Sequence, residues 1–160
     1  EIAGTGAGLM KGYHNRPKET ADIIWRDRRG RSFVRSGDIG RMDEDGFVYI
    51  LDRKKDMIIS GGFNVFPADL EQIIAEHPAV ADVTVIGIPH EKWGETPLAL
   101  IIRKQGSVAD AEEIKCWSNE RLAKTQRLAG VEFRDDFPRN ALGKVLKREL
   151  RAPYWAKVSK

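Results

Sequence analysis

The sequence predicts an α+β fold in two parts, a β-rich segment over residues 1–52 and a compact α+β domain over residues 53–160. Two observations carry this prediction. In the first part the apolar residues form short runs that are separated by turns rich in glycine and aspartate. In the second part, runs rich in Val and Ile alternate with segments whose apolar residues recur at helical spacing. The second part has about 100 residues, an ordinary size for one domain.

The first part is predicted to contain one helical turn and two strands. Residues 16–22 have the pattern of a helical turn, and residues 32–35 and 47–51 have the pattern of strands, the second after a turn at residues 43–46. The glycines near the beginning of the chain are spaced too irregularly for a phosphate-binding GxGxxG loop. Because a few strands without helical cover bury little apolar surface, we expect this part to be the end of a larger domain.

The second part is predicted to alternate strands with helices. Residues 57–59 have the pattern of a short buried strand, and Pro67 is placed in the first turn of a helix. Further strands, rich in Val and Ile, are expected at residues 80–88 and 98–103, and a last strand is expected at residues 130–134. A second helix is expected to be capped by Ser107 and Asp110 and to continue through Ala123. We expect two or three central strands with both helices on one face.

A glycine–lysine loop near the end of the chain presents a single ammonium group. Pro138 and Gly143 keep this stretch out of regular secondary structure, and Lys144 follows directly. A basic helical tail comes next, with Lys147, Arg148 and Arg151. A solvated basic surface is one explanation of these charges. The other is an ammonium on a tethered arm that meets a polyanion.

Three upstream motifs favour the polyanion. The chain contains Arg35-Ser-Gly-Asp-Ile-Gly40, then Asp52-Arg-Lys-Lys-Asp56, then Gly61-Gly62-Phe-Asn64. In this order, and followed by the glycine–lysine loop, they resemble the C-terminal portion of the adenylate-forming (AMP-binding) superfamily of enzymes. This superfamily includes acyl-CoA synthetases, firefly-type luciferases and the adenylation domains of peptide synthetases. The resemblance covers nearly the whole chain and is greatest to the acyl-CoA synthetase, or fatty-acid–CoA ligase, branch.

The resemblance implies a division of the chain and a reaction. Residues 1–52 would be the trailing β segment of a large nucleotide-binding domain, and residues 53–160 a small, mobile C-terminal lid domain. The parent enzyme would convert a carboxylic acid, ATP and coenzyme A into acyl-CoA, AMP and pyrophosphate through an acyl-adenylate. The lid would then reorient for thioester formation. The Mg²⁺ ligands would lie in the missing N-terminal domain, which is the implied partner, so the isolated fragment is expected to be inactive.

The resemblance also implies a catalytic lysine and a hinge. Lys144 matches the lysine of the adenylation step, in which an ammonium offsets the repulsion between the attacking carboxylate and the α-phosphate. Lys55 matches the residue whose backbone torsions change when the lid rotates. A charged side chain stays solvated in either position of the lid, so burial favours neither state. The residue pattern alone describes Lys54 and Lys55 as an exposed charged turn.

Two further residues match positions that bind the nucleotide. Asp38 would accept hydrogen bonds from both hydroxyls of the ATP or AMP ribose, and Arg53 would contact the same region. Each has a structural alternative. Asp38 follows a Ser-Gly pair, where an Asx-type backbone cap is common. Arg53 has two near neighbours, Asp52 and Asp56, as possible partners in a surface ion pair.

The Gly-Gly-Phe loop matches a segment that lines the coenzyme A channel in the resembled enzymes. Gly61 and Gly62 allow close backbone approach, and Phe63 would be part of the wall. The alternative is a simple hairpin turn. Residues 90–95 match a loop between two strands, to which we assign no chemistry. Residues 124–130 depart from the Lys-Tyr-Lys-x-Pro segment that many relatives carry after the second helix, so no coenzyme A contact is assigned there.

Composition agrees with a globular protein that uses no disulfide. Of 160 residues, 41% are hydrophobic and 32% charged, with a formal net charge of +3. No apolar run approaches the roughly 20 residues of a membrane span. Cys116 has no partner for a disulfide and is expected to be packed, and the three histidines lack metal-ligand spacing. These features favour a cytoplasmic location. Because the chain starts at Glu1, we expect an internal piece of a longer polypeptide.

Two other functions stay open at this point. The chain resembles adenylation domains that serve a carrier protein, which share the same motifs. The second is a non-enzymatic function, that of a free-standing basic domain that binds nucleic acid or a protein. Against nucleic acid, the sequence contains neither an aromatic and basic RNA-binding motif nor helix-turn-helix spacing. The acid substrate is expected to be selected by residues outside this chain.

Overall fold

The computed structural model describes residues 1–156, which divide into two compact units. The first unit is Glu1–Lys55 and the second begins at Asp56. The boundary predicted between residues 52 and 53 concerns the domains of the parent enzyme, and it stays a prediction. Within the described residues, no helix is both long enough and apolar enough to cross a membrane.

The first unit consists of short antiparallel strands and one helix. Its elements are β1 (Ala3–Gly4), α1 (Pro17–Ile23), β2 (Ile24–Arg26), β3 (Ser32–Arg35), β4 (Asp38–Met42) and β5 (Val48–Arg53). Strand β3 lies between β1 and β2, and β4 pairs with β5 as a separate hairpin. None of residues 1–55 is fully buried. The unit therefore has little core of its own, as its few uncovered strands predict.

The second unit is a five-stranded sheet with three α-helices. Its elements are β6 (Ile58–Ser60), β7 (Phe63–Val65), α2 (Pro67–Ala75), β8 (Val80–His90), β9 (Gly94–Arg103), α3 (Ala111–Arg121), a 3₁₀ helix (Lys124–Gln126), β10 (Gly130–Phe133) and α4 (Lys147–Trp155). Strand β9 is central, since it pairs with β8 on one edge and with β10 and the end of β6 on the other. The prediction of an α+β lid fold is confirmed.

Strand β9 is buried on both faces, which explains its continuous run of apolar residues. Successive strand residues point to opposite faces, and they belong to two different core clusters. The first cluster joins β9 to α2 and α3 through Ala99, Ile101, Leu70 and Ile114. The second joins β9 to α4 through Leu98, Leu100, Phe137 and Leu150. Helices α2 and α3 thus cover one face of the sheet, and α4 covers the other.

The observed sheet is larger than the sequence predicts. The sheet has five strands, where two or three were expected. The strand predicted at residues 98–103 begins earlier, at Gly94. It begins earlier because Gly94 pairs with His90 at the turn of a long hairpin. The expectation that helices occupy one face holds for α2 and α3 but omits α4. Helix α2 does begin at Pro67, as predicted.

The second predicted helix is wrong at both ends. Asp110 alone caps α3, because its Oδ1 accepts the backbone N–H of Glu113 at 2.8 Å. The Ser107 hydroxyl instead accepts a backbone N–H two residues later, at 3.4 Å. The helix ends at Arg121 rather than Ala123. Its next residue, Leu122, adopts an extended conformation and buries its side chain in the core.

Cys116 is exposed, so the expectation of a packed thiol is wrong. It lies one turn after Glu112 on the solvent side of α3, and its Sγ lies 3.6 Å from Glu112 Oε1. Partial loss of water and the neighbouring Glu112 carboxylate raise the pKa of the Cys116 thiol. Because the thiolate is the reactive form, the thiol is a poor nucleophile here.

One edge of β8 is bonded by side chains instead of a strand. Among the described residues β8 pairs only with β9. On its other edge, the Val85 N–H donates to Glu71 Oε1 at 2.7 Å, and the Gly87 carbonyl accepts from Trp155 Nε1 at 3.1 Å. Because Glu71 belongs to α2 and Trp155 to α4, two helices together satisfy the open backbone groups of this edge.

A polar cluster joins the end of α4 to the sheet. The Tyr154 hydroxyl donates to Glu132 Oε2 at 2.7 Å, and Arg134 Nη2 donates to both of these groups at 2.7 and 2.8 Å. Partial burial, and then the hydrogen bond to the Glu132 carboxylate, raise the pKa of Tyr154. The neutral hydroxyl is therefore the form that stabilises the folded state.

Tyr154→Phe is expected to lower the free energy of unfolding by about 1–2 kcal/mol, because it removes hydrogen bonds to charged groups. Urea titration at neutral pH measures this loss, with the exposed Tyr13→Phe as the matched control. A raised pKa contributes stability that is complete below the ordinary value of 10.0 and is lost as pH rises through the folded-state value. The difference between wild type and Tyr154→Phe should therefore shrink at strongly alkaline pH. Equal stability of both proteins at neutral pH would contradict this role.

Candidate active site

The backbone at Lys144 is fixed by the side chain of Asn140. Asn140 Oδ1 accepts the backbone N–H groups of Leu142 at 3.0 Å and of Lys144 at 2.9 Å. Main-chain hydrogen bonds of 2.9 Å also join Asn140 to Gly143 and to Lys144. Gly143 has a φ of 80°, in the region that glycine adopts most readily. The Asn-Ala-Leu-Gly sequence thus builds a closed loop that ends at Lys144.

Lys144 and Lys147 differ in what their ammonium groups contact. The Lys144 side chain is exposed, and its ammonium has no partner within residues 1–156. Lys147 Nζ lies 2.7 Å from Glu71 Oε1, and its side chain is only 18% exposed. The Lys144 ammonium is therefore exposed at the surface, whereas Lys147 is held in a half-buried ion pair.

The structure brings the two predicted ribose-binding residues together. Asp38 and Arg53 are cross-strand partners in the β4–β5 hairpin, and Arg53 Nε lies 3.2 Å from Asp38 Oδ1. The contact is an ion pair without hydrogen-bond alignment, since the buried Arg53 Nε–H has no acceptor within residues 1–156. Both groups therefore retain hydrogen-bonding capacity. Of the partners considered from sequence, Asp52 accepts the backbone N–H of Arg53 at 2.7 Å, whereas the Arg53 guanidinium pairs with Asp38.

The turn before Asp38 is held by a serine, not by the aspartate. The Ser36 hydroxyl accepts the Asp38 N–H at 3.0 Å, and Gly37 has a φ of 77°. Within the described residues the Asp38 carboxylate accepts no backbone N–H. The carboxylate is consequently not used as an Asx-type cap.

Lys55 lies in a turn at the point where the chain passes from one unit to the other. Strand β5 ends at Arg53, and the second unit begins at Asp56. Lys55 is exposed. The predicted hinge residue is thus the last residue of the first unit.

Gly61 and Gly62 form the two-residue loop of the β6–β7 hairpin, with φ values of 57° and 84°. Positive φ at both positions is typical of a tight hairpin turn that favours glycine. Gly61 is also close to Trp93, because a Cβ atom at Gly61 would lie 2.8 Å from Trp93 Cε3. Phe63, at the start of β7, is 58% exposed. The segment is therefore a hairpin turn with an exposed phenylalanine beside it, and the assignment of Gly61, Gly62 and Phe63 to a coenzyme A channel stays a prediction.

A cavity of about 290 Å³ lies beside this hairpin. Its walls combine apolar rings and cations and include Gly61, Phe63, Trp93, Thr96, Lys124 and Arg127. Sequence reasoning assigned no role to Trp93, Lys124 or Arg127. Trp93 was detectable as a large aromatic residue in a loop, whereas the two cations lie around a 3₁₀ helix that departs from the expected motif. Lys144 is not among the residues that line this cavity.

No cluster of three or more His, Cys, Asp or Glu residues within residues 1–156 has the arrangement of a metal site.

Comparisons with known proteins identify the family. Residues 69–144 match the model of the AMP-binding enzyme C-terminal domain. A long-chain-fatty-acid–CoA ligase of Bacillus subtilis is 44% identical over 150 residues, which are 94% of this chain and 26% of the ligase.

Two solved structures resemble the chain closely. ATP-bound MatB from Rhodopseudomonas palustris is 38% identical with a TM-score of 0.82, covering 96% of this chain and 30% of MatB. The o-succinylbenzoate CoA synthetase MenE of Bacillus subtilis, in complex with the acyl-adenylate OSB-AMP, is 38% identical with a TM-score of 0.80. That match covers 94% of this chain and 30% of MenE. The chain thus spans less than a third of the proteins it matches. The resemblance inferred from the motifs is confirmed, since residues 69–144 belong to the AMP-binding enzyme C-terminal domain family.

Proposed function

We propose that the chain is part of an ATP-dependent acyl-CoA synthetase whose second unit supplies the catalytic lysine. A carboxylate oxygen of the substrate attacks the α-phosphorus of ATP, so that an acyl-adenylate forms and pyrophosphate leaves. The sulfur of coenzyme A then attacks the acyl carbon, a thioester forms, AMP leaves and the thiol proton passes to solvent. The observation that carries this proposal is the exposed ammonium of Lys144, which extends from a fixed loop and has no partner among residues 1–156.

Lys144 acts in the first half-reaction. The carboxylate and the triphosphate are both anionic, so they repel each other at the distance that attack requires. One ammonium between them offsets this repulsion and holds the two groups in line. The loop built by Asn140 supports this role, because it fixes the backbone from which the side chain extends.

Asp38 and Arg53 bind the nucleotide. The two oxygens of the Asp38 carboxylate suit the vicinal hydroxyls of ribose. The adjacent Arg53 guanidinium carries donors for a hydroxyl or a phosphate oxygen. Their ion pair in the β4–β5 hairpin supports the proposal, since it holds both side chains in place before a ligand arrives.

The cavity beside the β6–β7 hairpin is the proposed coenzyme A site. Gly61 and Gly62 allow close approach of an extended chain, and Phe63 and Trp93 provide apolar walls. Coenzyme A also carries phosphates, for which Lys124 and Arg127 supply cations in the same cavity. The basic stretch that departs from the family motif is thus proposed to serve coenzyme A after all.

Lys55 is the proposed hinge on which the second unit reorients between the two half-reactions. The division of the chain directly after this residue supports the assignment. Mg²⁺ supplies charge neutralisation at the triphosphate, and its ligands are proposed to lie outside this chain. The triphosphate loop and the acid-binding pocket are also proposed to lie outside this chain.

The proposed substrate class is a carboxylic acid, without restriction to fatty acids. One relative is named a fatty-acid ligase, and a structural neighbour is named an o-succinylbenzoate synthetase. Both names contain coenzyme A, which favours this acceptor over a carrier protein.

The full-length protein that carries this chain is expected to form acyl-CoA, AMP and pyrophosphate from an acid, ATP, Mg²⁺ and coenzyme A. A panel of fatty acids of graded length, with o-succinylbenzoate included, measures the reaction by chromatography of the products. The isolated chain is the control and should form none. Acyl transfer to a phosphopantetheinyl carrier protein, with no transfer to coenzyme A, would favour the rival function. Robust acyl-CoA formation by the isolated chain would contradict the proposed division of roles.

A further inference from the structure

We propose that Glu71 is a positioning residue for Lys144, acting through Lys147 at the start of α4. This inference rests on the proposed catalytic role of Lys144. Nothing in the motifs of the sequence points to Glu71, because it lies on α2, far from Lys144 along the chain.

Glu71 is a junction between the sheet and α4. Its Oε1 accepts from three donors: Lys147 Nζ at 2.7 Å, Val85 N at 2.7 Å and Thr84 Oγ1 at 3.2 Å. The side chain of Glu71 is 24% exposed and that of Lys147 is 18% exposed. Two donors from β8 hold the carboxylate in place, and the carboxylate in turn holds the Lys147 ammonium.

This junction fixes the exit of the Lys144 loop. Lys147 is the first residue of α4 and comes three residues after Lys144. Between them, Val145 packs on the second core cluster, and the Leu146 N–H donates to the Pro138 carbonyl at 2.8 Å. Few backbone torsions therefore separate the anchored Lys147 from the reactive lysine.

A second ion pair fixes the entrance of the same loop. Arg139 forms an ion pair with Asp82 of β8, and its Nη1 donates to the Gly143 carbonyl at 2.8 Å. Arg139 also forms an isolated antiparallel bridge with Val145. The loop is thus tied to β8 on both sides, before Lys144 by Asp82 and after it by Glu71. Asp82 belongs to β8, and the Glu71 carboxylate accepts hydrogen bonds from β8, which pairs along its length with the central strand β9.

Loss of either ion pair should change the position of the Lys144 ammonium and not its charge. A misplacement of about 1 Å in a reacting group can cost about a hundredfold in rate. Removing one partner of a half-buried ion pair also leaves the other charge uncompensated, so the freed side chain moves toward water. Loss of the Glu71–Lys147 pair would therefore let the start of α4, and the loop before it, shift.

The test is Lys147→Met in the full-length protein. We expect kcat of the adenylation half-reaction, followed by pyrophosphate release, to fall by about tenfold to a hundredfold. The KM for ATP and thioester formation from supplied acyl-adenylate should stay unchanged. Glu71→Gln, which keeps an oxygen acceptor for the Val85 N–H, should produce the same selective loss. Lys147→Arg should retain most of the activity, because the guanidinium can reach the same carboxylate.

Lys115→Met is the matched control. It deletes the cation of another ion pair, 3.1 Å from Glu112 on α3, with no link to the loop. Both half-reactions should be unchanged in this variant. Equal loss of the two half-reactions in Lys147→Met and Glu71→Gln would show a general structural defect and overturn the proposal.

A double variant separates this inference from the function on which it rests. In a Lys144→Ala background, Lys147→Met should cause no further loss, because the positioning then has no lysine to act on. If Lys144→Ala itself leaves adenylation intact, the proposed function is what fails. If Lys144→Ala lowers adenylation while Lys147→Met and Glu71→Gln do not, the positioning role alone is overturned.

Discussion

Lys144→Ala in the full-length protein is expected to lower the rate of acyl-adenylate formation by about a hundredfold or more, the usual effect of removing one preorganised donor. The reason is electrostatic. Alanine leaves the carboxylate and the α-phosphate without the cation that offsets their repulsion. Lys144 is a surface residue with no partner within residues 1–156, so its removal should leave the melting temperature unchanged.

The measurement separates the two half-reactions. Single-turnover release of pyrophosphate reports adenylation, and transfer from supplied acyl-adenylate to coenzyme A reports thioester formation. Only the first should fall. Lys104→Ala, at another exposed lysine of the same unit, is the control and should match wild type in both. Equal loss in both half-reactions would show that Lys144 has a structural role or acts elsewhere.

Lys55→Pro is expected to impair thioester formation far more than adenylation. Proline fixes φ near −65° and removes an N–H at the point where the two units meet along the chain. One position of the second unit needs one set of torsions at Lys55, which proline can satisfy. If the second unit alternates between two positions, Lys55 needs two sets of backbone torsions, and proline cannot adopt both. With a penalty of about 3 kcal/mol for the unsuitable set, the second half-reaction should slow by about a hundredfold.

The same pair of single-turnover rates tests this expectation. Glu44→Pro is the control, because it places proline in the exposed β4–β5 turn, where the second position of a turn accepts it. Wild-type rates in both steps for Lys55→Pro would show that the hinge lies at another residue. A common collapse of both rates with a lowered melting temperature would indicate damage to the fold instead of to the hinge.

The elements that sequence predicts well are those that local patterns determine. Pro67 marks the start of α2 because its missing N–H is harmless in the first turn of a helix. Strand β8 follows from its Val and Ile content, and the second half of β9 follows from its run of Leu, Ala and Ile. The Lys144 loop follows from its proline and glycine, and the hairpin at Gly61 follows from its glycine pair.

The features that sequence leaves out depend on contacts between distant residues. The basic tail appears as a solvated run of charge, yet Lys147 is half-buried against Glu71 on another helix. Arg53 has two acidic neighbours along the chain, but the register of the β4–β5 hairpin places Asp38 beside it instead. Neither pairing can be read from local sequence, because the antiparallel register and the helix packing create it.

The side chains that bond the outer edge of β8 also guard the chain against association with itself. A strand with open N–H and C=O groups and a Val- and Ile-rich sequence is a template onto which a strand of another molecule can add. Glu71 and Trp155 occupy this edge at Val85 and Gly87. Since Trp155 belongs to α4, proteolytic loss of that helix would expose an aggregation-prone strand edge. It would also remove the ion pair that follows the Lys144 loop. The helix that follows the Lys144 loop thus also contributes to the resistance of the protein to aggregation.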